Sequence, residues 1–129
     1  MALRVVRLGT PRVPGEGLRI GTVRRPPRGV PRSEFARQDW YDVWFPILSP
    51  SAELVKRAHE AKTAADWTAF FRHYKAEMKA PDAAHALDLL AALSQHNDIS
   101  VGCYCEDEAH CHRRALRELL VARGATLAE

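Results

Sequence analysis

The sequence predicts an α/β fold, a single compact domain in which a mostly parallel sheet is flanked by helices. Segments typical of strands alternate with segments typical of helices, and this alternation favours a layered structure. The length of 129 residues and the hydrophobic fraction of 47% fit one domain that buries a core of its own. We therefore expect residues 1–129 to form one domain, without internal repeats or extended disorder.

Two strands and a loop are predicted in the first part of the chain. Apolar and β-branched residues recur over residues 3–8 and 18–23, which is typical of strands. Residues 24–31, here called the basic loop, contain three arginines, three prolines and one glycine. The prolines exclude a helix interior and a central strand. Ser33 is expected to cap a short helical turn, and residues 40–48 to form a short strand or a packed connection.

Three helices are predicted in the middle of the chain. Ser49 is expected to cap the first, with Pro50 in its first turn. Thr63 resembles the first residue of a capping box, and the aromatic residues that follow it recur at helical spacing until Pro81. Asp82 is expected to cap the third helix, which carries a leucine stripe.

A buried strand and a final helix are predicted at the end of the chain. Residues 99–105 have the apolar character of a central strand. A helix is expected from about Asp107 to Ala122, packed through leucines at helical spacing. The carboxyl end of a strand in an open parallel sheet is where active sites form, so this strand–helix junction is the leading site candidate.

The positive charge is concentrated in the first third of the chain. The net charge is only +3, but residues 1–40 contain no lysine, three acidic residues and nine arginines. Arginine suits phosphate and carboxylate groups, so the cluster is a candidate anion site or nucleic-acid surface. A genome rich in G and C also favours arginine, and this alternative stays open. The nine are Arg4, Arg7, Arg12, Arg19, Arg24, Arg25, Arg28, Arg32 and Arg37.

A cytoplasmic protein without a membrane span is expected. No segment approaches the roughly 20 apolar residues that cross a bilayer. Arg4 and Arg7 interrupt the N-terminal segment where a secretory signal needs an apolar run. The three cysteines lie between residues 103 and 111 rather than along the whole chain, which indicates thiols rather than disulfides.

The junction at residues 103–113 contains all three cysteines and two of the six histidines. Cys103 and Cys105 are expected to face the same way on the strand, because side chains there repeat every second residue. His110, Cys111 and His112 are expected in the first turns of the helix. Cysteine and histidine are the side chains that act as nucleophiles and bind soft metal ions.

Three interpretations of the junction stay open. It can be a zinc site with Cys103, Cys105, His110 and Cys111 as candidate ligands and His112 nearby, although the spacing is not that of paired zinc knuckles. It can also be a thiol site, in which basic neighbours and a helix N-terminus favour the Cys111 thiolate. Finally, the cysteines and His112 can be ordinary core residues, since cysteine is among the most buried residue types.

Several segments together resemble one family. The run from Gly102 to Arg114, the arginine-bearing strand before the basic loop, and the sequence Pro-Arg-Gly-Val at residues 27–30 are similar to segments of the DUF 488 (YeaO-like) family of uncharacterised proteins. Ser-Pro-Ser at residues 49–51 and the aromatic helix with Tyr74 and Glu77 match its middle part. The resemblance covers nearly the whole chain. It implies a compact α/β domain of this length, and no settled reaction.

The resulting hypothesis is a site at the end of the last strand, formed where the basic loop meets the cysteine–histidine junction. Arg24, Arg28 and Arg113 would bind an anionic group, while Cys111 and His112 supply polarity or a thiolate and are the candidate catalytic residues. The alternatives are a nucleic-acid-associated binding module and a zinc-binding protein. The sequence specifies no cofactor, substrate or oligomeric state. The candidate supporting residues are Tyr74, Glu77, Cys103 and Cys105.

Overall fold

The computed structural model describes residues 1–128, in which four parallel strands form one sheet. The strands are β1 (Leu3–Arg7), β2 (Leu18–Gly21), β3 (Val43–Trp44) and β4 (Ile99–Cys103), arranged in the order β1-β4-β2-β3. Every adjacent pair runs parallel. The predicted α/β class, with its parallel sheet in a single compact domain, is confirmed.

Four helices accompany this sheet in the described part of the chain: α1 (Ala52–Glu60), α2 (Ala64–Glu77), α3 (Pro81–Leu93) and α4 (His112–Ala122). Their apolar faces join strand residues in the main core. Three short 3₁₀ turns connect the elements, at Arg32–Glu34, Pro46–Leu48 and Glu108–His110. Within residues 1–128, no helix is both long enough and apolar enough to cross a membrane.

Strand β4 is the centre of the sheet. All five of its residues are buried, and it pairs with β1 on one side and β2 on the other. Gly102 is required there because a Cβ atom would lie 2.6 Å from Leu8 Cδ2 and 2.9 Å from the Val6 carbonyl oxygen. The close approach packs β1 tightly against the end of β4. A second, smaller core then forms at this end of the sheet from Leu8, Val23, Tyr41, Cys103 and Cys111.

The helix starts differ from the predicted ones in α1 and α3. Ser51, not Ser49, caps α1, because its side chain accepts a hydrogen bond from the Leu54 amide at 3.2 Å. Ser49 instead donates its hydroxyl to the Pro46 carbonyl at 2.7 Å. Helix α3 begins with Pro81 as its first residue, so Asp82 lies inside the first turn rather than at the cap. The Thr63 capping box of α2 is present as predicted.

The last helix starts five residues later than the predicted Asp107. Asp107 accepts a hydrogen bond from the Ala109 amide at 2.9 Å and caps the 3₁₀ turn instead. Cys111 then takes an extended conformation, with φ −149° and ψ 151°, and α4 begins at His112. The strand before it also ends earlier, at Cys103 rather than Cys105. The extended Cys111 places its side chain in the core beneath the turn.

One of the N-terminal arginines is part of the core. Arg19 is fully buried, and its Nε and Nη2 donate to the Glu16 carboxylate at 2.7 and 2.9 Å. Ser100 donates its hydroxyl to the same carboxylate at 2.8 Å. Arg19 Nη1 also donates to the carbonyl oxygens of Thr10 and Asp39, which joins β2 to the two loops beside it. Arg19 is therefore a structural residue.

Candidate functional site

Two cysteines and one histidine meet where β4 ends and α4 begins. The Sγ atoms of Cys103 and Cys111 and a ring nitrogen of His112 all lie within 4.8 Å of one another. All three side chains are buried. The Sγ atom of Cys105, which is exposed, lies 3.7 Å from the Cys103 Sγ. The junction thus gathers four electron-pair donors.

Thr22, the residue after β2, orients the His112 ring. Its hydroxyl donates to the Gly102 carbonyl at 3.0 Å, and its Oγ1 lies 3.2 Å from His112 Nε2. A threonine hydroxyl has one proton, so Oγ1 accepts the hydrogen bond from Nε2. The opposite nitrogen, Nδ1, then faces the Cys111 Sγ at 3.8 Å. A neutral ring thus directs its Nδ1 lone pair at the cysteine, whereas a protonated ring donates Nδ1–H to the sulfur and favours the thiolate.

Arg113 places a buried positive charge beside Cys111. Its side chain is 3% exposed, and Nε donates to the Cys111 Sγ at 3.4 Å. Nη2 donates to the Cys105 carbonyl at 2.6 Å. Among residues 1–128, no carboxylate pairs with this guanidinium. A buried charge needs a counter-charge, and the group in contact that can carry one is the Cys111 sulfur.

The hydrogen bonds within the junction favour a thiolate at Cys111. The pKa of the Cys111 thiol is lowered, chiefly because the Cys103 and Cys105 thiols hydrogen-bond to its sulfur, and further by His112. Burial acts in the opposite direction. The pKa of Cys103 is raised by its hydrogen bonds with Cys105 and Cys111 and by burial, so Cys103 stays protonated beside the thiolate.

The basic loop meets the junction. Tyr104, the residue after β4, donates its hydroxyl to the Arg25 carbonyl at 2.8 Å. Val23, the residue before the loop, packs in the same small core as Cys103 and Cys111. The side chains of Arg24 and Arg28 are exposed. No ion pair involves them within the part of the chain that the structure describes.

The two supporting residues on α2 have different environments. Tyr74 is fully buried, its ring lies 5.3 Å from that of His112, and its hydroxyl donates to the Leu48 carbonyl at 2.7 Å. Burial, followed by the nearby charge of Cys111, raises the pKa of Tyr74 well above its ordinary value. Glu77 accepts a hydrogen bond from the Ser51 amide at 2.9 Å. Glu77 therefore holds the residue that caps α1, whereas Tyr74 packs beside the His112 ring.

Comparison with known families identifies the chain. A family model named DUF488-N3a, described as the active DUF488-N3 subclade, matches residues 3–124. The chain belongs to the DUF488 family. The match includes the basic loop and the whole junction, and it confirms the resemblance seen in the sequence. Neither the curated proteins nor the solved structures contained a match.

The geometry of this DUF488 member selects among the predicted site residues. It brings Cys103, Cys111, His112 and Arg113 together, with Cys105 at the edge. His110 does not join them: it is 56% exposed and stacks on Trp67, with the ring centroids 4.8 Å apart and the planes 10° apart. The thiol and metal interpretations therefore share one histidine, His112.

Thr22 and Tyr104 were not among the predicted site residues of this DUF488 chain. A signal for Thr22 was available, because it follows β2 at the same edge of the parallel sheet as the end of β4. Tyr104 lies inside the predicted motif, but its bond to the basic loop spans 79 residues and leaves no local pattern.

The arginine cluster is divided by the fold. Arg19 is buried with Glu16, Arg12 pairs with Asp39 and Asp42, and Arg37 pairs with Glu34. These three therefore contribute little net positive charge to the surface. Arg24, Arg25 and Arg28 of the basic loop remain exposed, and the Arg25 carbonyl connects this loop to Tyr104 of the junction.

Proposed function

We propose that the chain binds a small anionic ligand where the basic loop meets the cysteine–histidine junction. Arg24 and Arg28 contact the anionic group, and the buried Arg113, which donates to the Cys111 sulfur, holds that sulfur in place. Cys111 and His112 present electron-pair donors to the bound molecule. The Tyr104–Arg25 hydrogen bond, which joins the basic loop to the junction, is the observation that supports this function.

Charge and burial support an anion rather than a neutral ligand. Arginine side chains without carboxylate partners keep their full charge available, and guanidinium groups bind phosphate and carboxylate oxygens in pairs. A ligand over the junction would be close to the Cys111 thiolate, which can attack an electrophilic atom or bind a metal ion. The description of the matching subclade as active fits a chain in which these residues are present.

We also propose that the protein works in the cytoplasm. All three cysteines are free thiols, although Cys103 and Cys105 have sulfur atoms only 3.7 Å apart. Thiols this close persist most readily in a reducing compartment.

The proposal is tested by calorimetric titration of the full chain with inorganic phosphate, pyrophosphate, sulfate and citrate. The wild type should bind at least one of these probes. The double variant Arg24→Gln/Arg28→Gln should bind it about tenfold more weakly, or worse, since two charge-assisted hydrogen bonds are lost. Arg72→Gln, which changes an exposed arginine on α2, is the matched control and should bind like the wild type.

Two outcomes would contradict anion binding at this site. One is equal affinity in the wild type and in the double variant. The other is that none of the four anions binds while duplex DNA does, with an affinity that falls steeply as salt is added. The second outcome would favour the nucleic-acid-associated alternative.

A further inference from the structure

We propose that Cys103, Cys111 and His112 bind one zinc-class divalent ion and that Cys105 completes a tetrahedral site. This inference goes beyond anion binding and does not depend on it. It concerns the same junction, because Cys111 and His112, which the anion proposal also uses, are soft metal ligands that lie beside two further cysteines.

Two ligand-atom distances within the junction match those of a tetrahedral ion. With Zn–S bonds of about 2.3 Å, two sulfur ligands on a tetrahedron lie about 3.8 Å apart. Cys103 Sγ and Cys105 Sγ are 3.7 Å apart. A sulfur and a nitrogen ligand would be about 3.6 Å apart by the same geometry, and Cys111 Sγ and His112 Nδ1 are 3.8 Å apart. The remaining ligand-atom separations among Cys103, Cys111 and His112 stay within 4.8 Å.

The surroundings of His112 are those of a metal ligand. A histidine that binds a metal through one ring nitrogen usually donates the other N–H to a fixed acceptor, which sets the tautomer and the ring orientation. His112 Nε2 makes this bond to Thr22 Oγ1 at 3.2 Å, and Thr22 is itself held by the Gly102 carbonyl. In the neutral ring, the Nδ1 lone pair therefore already lies on the side of the sulfur ligands, where it is available to an ion.

Charge at the junction also favours a divalent ion with three thiolates. Such a unit carries a net charge of −1, and the buried Arg113 guanidinium, which donates to the Cys111 Sγ, supplies the compensating charge. Each thiol that binds the ion releases its proton to solvent. With Arg113 included, the buried group is neutral overall, which keeps the cost of burying it low.

Two of the three carboxylates in the junction, those of Asp107 and Glu108, are engaged elsewhere, and the sulfur ligands favour a soft ion over magnesium or calcium. Asp107 caps the 3₁₀ turn, and Glu108 accepts two hydrogen bonds from Arg117 at 2.7 and 2.8 Å. Magnesium and calcium need oxygen ligands, whereas three sulfurs and one imidazole suit zinc.

Metal content and cobalt spectroscopy test the site. The full chain, purified without chelator and dialysed after exposure to Zn²⁺, should hold one ion per chain by elemental analysis, with its three thiols protected from a thiol reagent. Replacing the ion with Co²⁺ should produce a thiolate-to-cobalt absorption band. Cys103→Ser and Cys111→Ser should each weaken binding by at least about tenfold. His59→Ala, which changes an exposed histidine on α1, is the matched control and should bind Co²⁺ like the wild type.

Cys105→Ser keeps the test decisive even where a buried variant fails to fold, because Cys105 is exposed. It should fold, still bind Co²⁺, and lose about one third of the charge-transfer intensity, since one of three thiolates is removed. Less than one ion per chain in the wild type, or no thiolate band, would overturn the metal site. An unchanged band in Cys105→Ser would overturn its role as the fourth ligand. The Arg24→Gln/Arg28→Gln variant should keep the ion, which separates failure of the metal site from failure of anion binding.

Discussion

Two buried arginines in this protein are compensated in different ways. Arg19 is paired with the carboxylate of Glu16, whereas Arg113 donates to the sulfur of Cys111. A carboxylate is ionised at neutral pH without assistance, so the first pair holds the fold together. A thiol needs assistance to ionise, and providing it creates a reactive group. The residue that compensates each charge therefore separates the structural arginine from the one that we propose to be functional.

The structural pair leads to a prediction about stability and pH. Glu16→Gln should lower the free energy of unfolding by about 3 kcal/mol near neutral pH, because Arg19 stays buried without a counter-charge. Burial raises the pKa of Glu16, but the hydrogen bonds from Arg19 and Ser100, together with the Arg19 charge, lower it overall. A carboxylate with a lowered folded-state pKa stabilises the protein above its unfolded pKa, and this contribution is lost as the pH falls through the folded value.

The stabilities of the wild type and Glu16→Gln should therefore converge in acid. Urea unfolding at about pH 7, and then in steps from the ordinary glutamate pKa down to the lowest pH at which both chains still fold, measures how this stability difference changes. A difference that stays constant over this range would show that the carboxylate charge is not what stabilises Arg19.

Thr22 is predicted to be a positioning residue. Thr22→Val keeps the shape of the side chain but removes the acceptor of His112 Nε2, so Co²⁺ affinity should fall by about 10- to 100-fold. Thr68→Val is the control, because its hydroxyl bonds to a carbonyl of its own helix, at Ala64. Circular dichroism would show whether Thr22→Val stays folded. Equal Co²⁺ affinity in a folded Thr22→Val would mean that His112 needs no second partner.

At the scale of elements, the break between the 3₁₀ turn and α4 shapes the site. A continuous helix from Asp107 would have spread His110, Cys111 and His112 around its surface. The turn instead ends at His110, and the extended Cys111 and the first residue of α4 both point into the core. Glu108 holds the turn to α4 through Arg117, and His110 holds it to α2 by stacking on Trp67.

This arrangement predicts that the turn can be loosened without unfolding the helix. Glu108→Gln weakens the paired hydrogen bonds from Arg117, so the amides of Ala109 and His110 should exchange with deuterium faster. Amides in the second half of α4 should be unaffected. Glu118→Gln is the control, because it changes another acidic residue of α4, the partner of Lys75 on α2. Slower or unchanged exchange at Ala109 and His110 would show that the Arg117 pair does not restrain the turn.

The elements themselves were largely predictable, and their ends were not. The strands at residues 3–8, 18–23 and 99–105 and all four helices were expected from periodicity and capping residues. The ends moved where a second capping residue was available, as with Ser51 beyond Ser49. They also moved where tertiary contacts intervened, as with the turn that Glu108 and His110 anchor before α4. Caps compete over one or two residues, and only the packed structure decides between them.

For the whole molecule, we predict that metal binding and folding are coupled. The proposed ion joins the central strand to the last helix, so it should bind the folded chain far more tightly than the unfolded one. At about 100 times the dissociation constant, such an ion adds about 2.7 kcal/mol, or roughly 10 °C in melting temperature for a domain of this size. Thermal melts with excess Zn²⁺ and with excess chelator measure this shift. A melting temperature that is the same with Zn²⁺ and with chelator would contradict the coupling.

The sequence by itself determined the fold class, the family resemblance and the segment at residues 103–113 in which the cysteines and His112 cluster. These depend on periodicity, on capping residues and on motifs, all of which act over a few neighbouring positions. Only the tertiary structure decided which side chains meet there. Thr22 and His112 are 90 residues apart, and Tyr104 reaches Arg25 over 79. The physical reason is the sheet order: with β4 between β1 and β2, the carboxyl ends of two parallel strands lie side by side, and the basic loop that follows one meets the cysteines that follow the other.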